Sequence, residues 1–243
     1  MAEVIRAEGI SAGYGNTPVF DGLSFALKDG EVMALIGQNG SGKTTLLRAL
    51  LGLMPLRKGS VKLFGKERLS PAERETLISY LPQRMEPDRT FPISLGEMLN
   101  LGSGGSAAKY TEMLGLGGLL HKRVGDLSGG QFQKALLAYS LSKEPKLLIM
   151  DEPTSWIDAK GSDCFLCVIE EFRKKGIAMI IVSHDFSVIS PLATKVMGLG
   201  PSGHFILPPD SPELNERIQG LFATGHHCTG GVCHFVRIAG AHK

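Results

Sequence analysis

Residues 37–45, GQNGSGKTT, lie between the apolar run EVMALI and the leucine-rich stretch TTLLRALLG. That order makes a buried strand pass through a glycine-rich turn directly into the first turn of a helix. Gly37, Gly40 and Gly42 let the backbone bend tightly and come close to a ligand, so successive amide N–H groups and the helix start converge on one anion. All fixed positions of the spacing GxxxxGK[ST] are filled, and this is a phosphate cradle suited to ATP. Lys43 is placed to reach the β- and γ-phosphate oxygens, and the hydroxyl of Thr44 to contribute to Mg²⁺, with Asn39, Ser41 and Thr45 completing the loop.

This loop sets the fold class as α/β, a P-loop NTPase with a parallel core sheet. KLLIMDE at 146–152 and AMIIVSHD at 178–185 supply two more strands that are apolar on both faces, as strands covered by helices are. VIRAEGI and SFALKDG read as strands joined by a glycine-rich turn, opening an N-terminal antiparallel β lobe. LRKGSVKLFGK reads as a hairpin turning at Lys58 and Gly59. Residues 84–127, punctuated by proline and glycine around EMLNL and AAKYTEMLGL, read as an inserted α-helical lobe. Phe132, Leu136 and Tyr139 recur at helical spacing after it, and KVMGLG with GHFILPP suggests a strand pair. The tail, 201–243, has weak periodicity beyond that pair and is expected to be partly loop.

All 243 residues are read as one domain, long enough to bury a core without disulfides. With 26 Lys and Arg against 24 Asp and Glu, the formal charge of +2 offers no nucleic-acid footprint and no attraction to anionic lipid. The apolar runs fall far short of the ~20 residues that span a bilayer, and no secretory leader is visible, so a cytoplasmic location is expected. In SDCFLCVIEEFRKK, Phe165, Val168, Ile169 and Phe172 have amphipathic spacing. Cys164 and Cys167 are therefore read as small packing residues of a helix rather than a redox or metal pair.

Asp151 ends an apolar strand, where it can orient Mg²⁺, and Glu152 holds the next position, where a carboxylate can polarise an attacking water. An isolated acidic pair is more often a solvated strand end; the phosphate loop changes that balance. Gln83, after a strand and Pro82, can sense the metal or the water, and His184, after IIVS, can donate to a transferred phosphate. The candidate catalytic set is Lys43, Gln83, Glu152 and His184, and the candidate Mg²⁺ set Thr44, Gln83 and Asp151.

Together with LSGGQ at 127–131, these motifs resemble the nucleotide-binding subunit of ATP-binding cassette transporters over nearly the whole chain. The resemblance implies ATP hydrolysis coupled to transport by a head-to-tail homodimer. Ser128 and Gly130 would contact the γ-phosphate held by the partner's loop. Tyr14, in GYGN, matches the adenine-stacking position, with turn packing as the alternative. Glu152 matches the water-activating carboxylate, Gln83 the loop that reports to the permease, and His184 the switch position. Two departures stand out: FQKALLAYS replaces the usual arginine-rich stretch after the signature, and SWID at 155–158 the usual small-residue turn. Trp156 would meet the other subunit or fill a local pocket.

The lack of a fused membrane segment resembles importer organisation. It implies a separate integral membrane permease, an extracytoplasmic binding protein acting indirectly, and a peripheral place on the cytoplasmic membrane face. LPQ at 81–83 and FPISLGEML at 91–99 resemble the subunits serving zinc, manganese and iron-chelate uptake, with zinc the leading cargo. The alternatives are a manganese or iron-chelate importer ATPase and a soluble cassette ATPase without a transport role. Phe91 would dock the permease or pack in the helical lobe. Finally, HHCTGGVCHF places His226, His227, Cys228, Cys233 and His234 within nine residues, a ligand set able to hold tetrahedral Zn²⁺. Its CxxxxC spacing is wide for a structural site, and incidental soft ligands on a tail are the alternative.

Overall fold

Two long strands open the chain, β1 (Glu3–Tyr14) and β2 (Thr17–Lys28), paired antiparallel up to Tyr14↔Thr17. They are longer than the apolar segments suggest, because register shifts along the pair interrupt the period-2 alternation that marks a half-buried strand. The computed structural model describes residues 2–83, 87–102, 107–153, 161–183, 186–200 and 203–223; of residues 102, 161–165, 187, 188 and 223 only the backbone is described. The chain divides into two units, Met1–Arg68 with Ile180–Lys243, and Leu69–Met179.

In the first unit β4 (Lys58–Leu63) joins the free edge of β1, giving the order β2-β1-β4. Lys58 and Gly59 thus lie inside a strand and do not turn a hairpin, contrary to the expectation from sequence. Gly59, at φ 79°, marks a bulge where a Cβ would stand 2.3 Å from the carbonyl oxygen of Glu8. The reversal comes later, at Phe64 and Gly65, closed by a Leu63↔Lys66 bridge. The core strand β3 (Val32–Ile36) is buried at every residue and pairs in parallel with β8 (Lys195–Gly200), while β9 (Gly203–Leu207) adds an antiparallel edge. With β7 (Ala178–Val182), the strand at which the two units meet in sequence, the order here is β7-β3-β8-β9.

Helix α1 (Lys43–Leu50) follows β3 and buries Leu46, Leu47, Ala49 and Leu50. Burying a leucine side chain stabilises by roughly 1.5–3 kcal/mol, so this face anchors the helix that carries the phosphate loop. The unit also holds a short α7 (Phe186–Ile189) and, not anticipated from the sequence, α8 (Leu214–Ala223). Leu214, Ile218 and Leu221 are buried, and a cation–π contact, Arg217 over Phe205 at 5.4 Å, adds to its seat.

In the second unit β5 (Ile78–Leu81) pairs in parallel with β6 (Leu147–Asp151), and the order is β5-β6-β7. Four further helices are α3 (Leu95–Gly102), α4 (Ala107–Met113), α5 (Gly129–Ser142) and α6 (Gly161–Lys174), after a short α2 (Pro71–Leu77). Ser94 starts α3: its amide and its hydroxyl donate to Glu97 Oε2 at 2.8 and 2.7 Å, which holds the Glu97 carboxyl below its usual range. Tyr110 of α4 and Phe172 of α6 are fully buried with ring centroids 5.2 Å apart, and Lys175 donates to the Tyr110 hydroxyl at 2.9 Å. The amphipathic reading of α6 holds for Val168, Ile169 and Phe172, which are buried. Cys167 is instead exposed and is no packing residue. Phe91 is likewise exposed rather than part of the lobe's core. Among the described residues no helix is long and apolar enough to cross a membrane.

Candidate nucleotide site

Strand β3 delivers the chain to Gly37, which is buried so closely that a Cβ would stand 2.3 Å from the Leu199 carbonyl oxygen and 2.6 Å from Ser41 Oγ. At the other end of the loop Gly42 sits at φ 102°, and a Cβ there would meet Val19 at 2.3 Å. Only glycine fits either position, so both glycines are demanded by the loop's path. Between them the Ser41 amide donates to the Gln38 carbonyl at 3.1 Å, while Lys43 Nζ folds back to donate to the carbonyls of Gly37 and Gln38 at 2.8 and 2.9 Å.

Helix α1 starts at Lys43 with no side-chain cap and no acidic residue in its first turn. The positive end of its dipole therefore faces no acidic group of the helix's own first turn, which suits an anion. Ser41 Oγ is buried without a hydrogen-bond partner, a polar atom for which a phosphate oxygen is the fitting complement. The donor set fits Mg²⁺-bound triphosphate. Thr44 is exposed and Thr45 buried. Tyr14, 58% exposed, has its hydroxyl tied to Thr45 and to Arg48, whose Nη1 donates at 3.4 Å; these bonds hold the phenol below its usual pKa and fix the ring at the end of β1.

In the second unit the parallel rung Leu81↔Met150 puts Gln83 and Glu152 each two residues beyond paired strand positions. Asp151 and Glu152 are 7% and 3% exposed, Gln83 exposed. Glu152 has φ 55°, the left-handed region, a strain of about 1–3 kcal/mol that a bulky residue carries only when its surroundings impose it. The signature residue Ser128 caps α5: its amide donates to Gln131 Oε1 at 3.1 Å and its hydroxyl accepts from the Gln131 amide at 3.3 Å. Gly130 lies in the first turn of that helix.

His184, Trp156 and the tail residues His226, His227, Cys228, Cys233 and His234 lie outside the described residues. Among those described, no group of three or more His, Cys, Asp and Glu is placed to hold a metal. A cavity of about 590 Å³ in the second unit, lined by Leu99, Ala107, Thr111 and Leu120 among others, includes none of the sequence-derived site residues. Sequence reasoning missed Gln38, whose Nε2 donates to the Leu221 carbonyl at 2.9 Å. No signal could have found it while α8 itself was unseen.

The model of the ABC transporter family matches residues 20–155. The zinc import ATP-binding protein ZnuC of Ruegeria pomeroyi is 36% identical over 232 residues, covering 91% of this chain and 85% of its own length. ZnuC of Paracoccus denitrificans is 38% identical over 209 residues, covering 84% and 78%. Among solved structures, an ATP-binding subunit of an ABC transporter superposes with TM-score 0.79 at 22% identity, covering 90% of this chain and 98% of its own. An inward-facing transporter provisionally described as of the metal-chelate type does so with TM-score 0.75 at 25% identity, covering 91% and 89%.

Proposed function

Since the chain belongs to the ABC transporter family as an ATP-hydrolysing subunit, we propose that it energises a metal-ion importer whose cargo is zinc. The observation that carries the cargo is the match, over 91% of this chain, to a relative named for zinc import. Manganese or an iron chelate is the second reading, favoured by the likeness to a transporter described as of the metal-chelate type.

The amides of residues 37–45 and the start of α1 take the phosphates, with Lys43 turning from the loop carbonyls to the β- and γ-oxygens. Thr44, Gln83 and Asp151 would hold Mg²⁺, which would supply positive charge to those oxygens. Glu152 orients a water and accepts its proton as the water oxygen bonds to the γ-phosphorus and the bond to ADP breaks. Gln83 and His184 report and steady the γ-phosphate, and the exposed ring of Tyr14 stacks on adenine. Two copies pair head to tail, each offering Ser128 and Gly130 to the ATP held by the other. The pair works against an integral membrane permease on the cytoplasmic face, with an extracytoplasmic binding protein delivering cargo. In the tail, Cys228 and Cys233 with two of the three histidines would hold Zn²⁺.

The test is ATP-dependent Zn²⁺ uptake by the reconstituted complex of chain, permease and binding protein, with Glu152→Gln as the blank. Uptake that vanishes in the blank is expected. Hydrolysis without Zn²⁺ movement would remove the zinc assignment and leave the motor.

A further inference from the structure

The turn that joins β1 to β2 carries Tyr14 but has little packing of its own, since residues 14–18 are all exposed. An exposed tip of this kind opens at small cost unless something holds it. What holds it comes from the segment that leaves the phosphate loop. Arg57, just ahead of β4, donates through Nη1 to the Asn16 carbonyl at 3.0 Å, and through Nη2 to the Gly15 carbonyl and, at 3.4 Å, to that of Tyr14. Three consecutive carbonyls thus converge on one planar guanidinium, whose rigid fork fixes their orientation as a point-like ammonium does not. The arginine is itself fastened to β1, its amide donating to the Ser11 carbonyl at 2.7 Å. The far end of the Tyr14 ring is tied separately, its hydroxyl bonded to Thr45 and Arg48 of α1. Val19 of β2 lies against the end of the phosphate loop, where a Cβ on Gly42 would strike it at 2.3 Å. All of these residues belong to the first unit.

We propose that Arg57 is a positioning residue for the nucleobase: it holds the turn Tyr14–Asn16 so that the aromatic face stands at a fixed place beside the phosphate loop. This rests on the reading of Tyr14 as the adenine platform. With the turn held, the cost of ordering it is met before nucleotide arrives, and the stacking energy appears as affinity. Without the guanidinium the ring and its hydroxyl bonds to α1 remain, but the backbone beneath the ring must be ordered each time a base stacks. The steps at the γ-phosphate fall to Lys43 and Glu152 and do not sense the change. Loss of Arg57 therefore acts on KM for MgATP and leaves kcat unchanged. It acts only on ligands that carry a base, because a bare phosphate chain engages the loop alone.

The experiment measures MgATP hydrolysis by the full-length chain, together with its inhibition by Mg²⁺-bound inorganic tripolyphosphate, which has the phosphates and no base. Three proteins are compared: the unaltered chain, Arg57→Ala and Tyr14→Ala, each shown to be folded by thermal melting. Tyr14→Ala should raise KM for MgATP roughly tenfold, the scale of one lost base–aromatic stack. Arg57→Ala should raise it several-fold at constant kcat. In both variants the inhibition constant for tripolyphosphate should match that of the unaltered chain, a split that an arginine serving only the fold would not produce. The proposal is overturned if Arg57→Ala leaves KM for MgATP unmoved, if tripolyphosphate inhibition weakens in step with KM, or if Tyr14→Ala has no effect on KM. The last outcome removes the platform reading as well, whereas an inert Arg57→Ala beside a weakened Tyr14→Ala removes the positioning role alone.

Discussion

The two glycine-rich helix starts of this chain, at α1 and at α5, look alike in sequence and differ in how their ends are satisfied. GQNGSGKT leaves α1 without a side-chain cap, Ser41 Oγ without a partner and Lys43 folded over its own loop. SGGQ closes α5 on itself, with Ser128 and Gln131 exchanging hydrogen bonds in a capping box. An uncapped helix start beside a buried orphan hydroxyl is built around a ligand that is not protein. A self-capped start is stable alone and can lend its surface to another molecule. Its hydroxyl bond, at 3.3 Å, is at the long end for an N–H donor and is readily exchanged for a better acceptor.

The largest effect that sharpens this contrast falls on the lysine. Lys43→Ala removes the cation proposed to turn to the phosphates, and MgATP hydrolysis should fall by about 100-fold or more, as when a transition-state charge loses its main counter-charge; steady-state phosphate release measures it. Retention of more than half the activity would break the assignment of α1 as the ligand-built start.

Next come the glycines. Gly42→Ala forces a Cβ into left-handed backbone and against Val19, and should destabilise the fold by about 1–3 kcal/mol in chemical denaturation. Gly129→Ala meets nothing within 4 Å, sits at ordinary helical backbone, and should leave stability unchanged or raise it by up to ~1 kcal/mol. Equal losses would erase the distinction. The smallest effect is on the cap: Ser128→Ala should cost about 1 kcal/mol of stability, whereas Ser41→Ala, which removes a hydroxyl with no protein partner, should cost nothing measurable in the same titration.

The sequence revealed most where one local rule dominates. The phosphate loop is fixed by glycines whose Cβ would collide, and β3, β6 and β7 are apolar at nearly every position because both faces are covered. It revealed least where long-range packing decides. The pairing of β4 with β1 hid a bulge behind what looked like a turn at Gly59, because a glycine at positive φ serves either purpose. In α8, Leu214, Ile218 and Leu221 are buried and stand at helical spacing, a signal the reading of the tail as weakly periodic overlooked, while its hold on Gln38 is long-range and was invisible. The exposure of Cys167 depends on which side of α6 faces its neighbours, one step beyond knowing that α6 is amphipathic.

The central claim is that one helix start binds ATP within its own chain while the other completes the site of a second copy. Mixing Lys43→Ala chains with Ser128→Arg chains tests it directly. Each variant alone should be inactive. In a head-to-tail pair of one of each, one site carries both lesions and the other none, so random pairing should restore about a quarter of the unaltered rate. Recovery at that level supports the exchange of α5 between copies; a mixture as inactive as its components would contradict it.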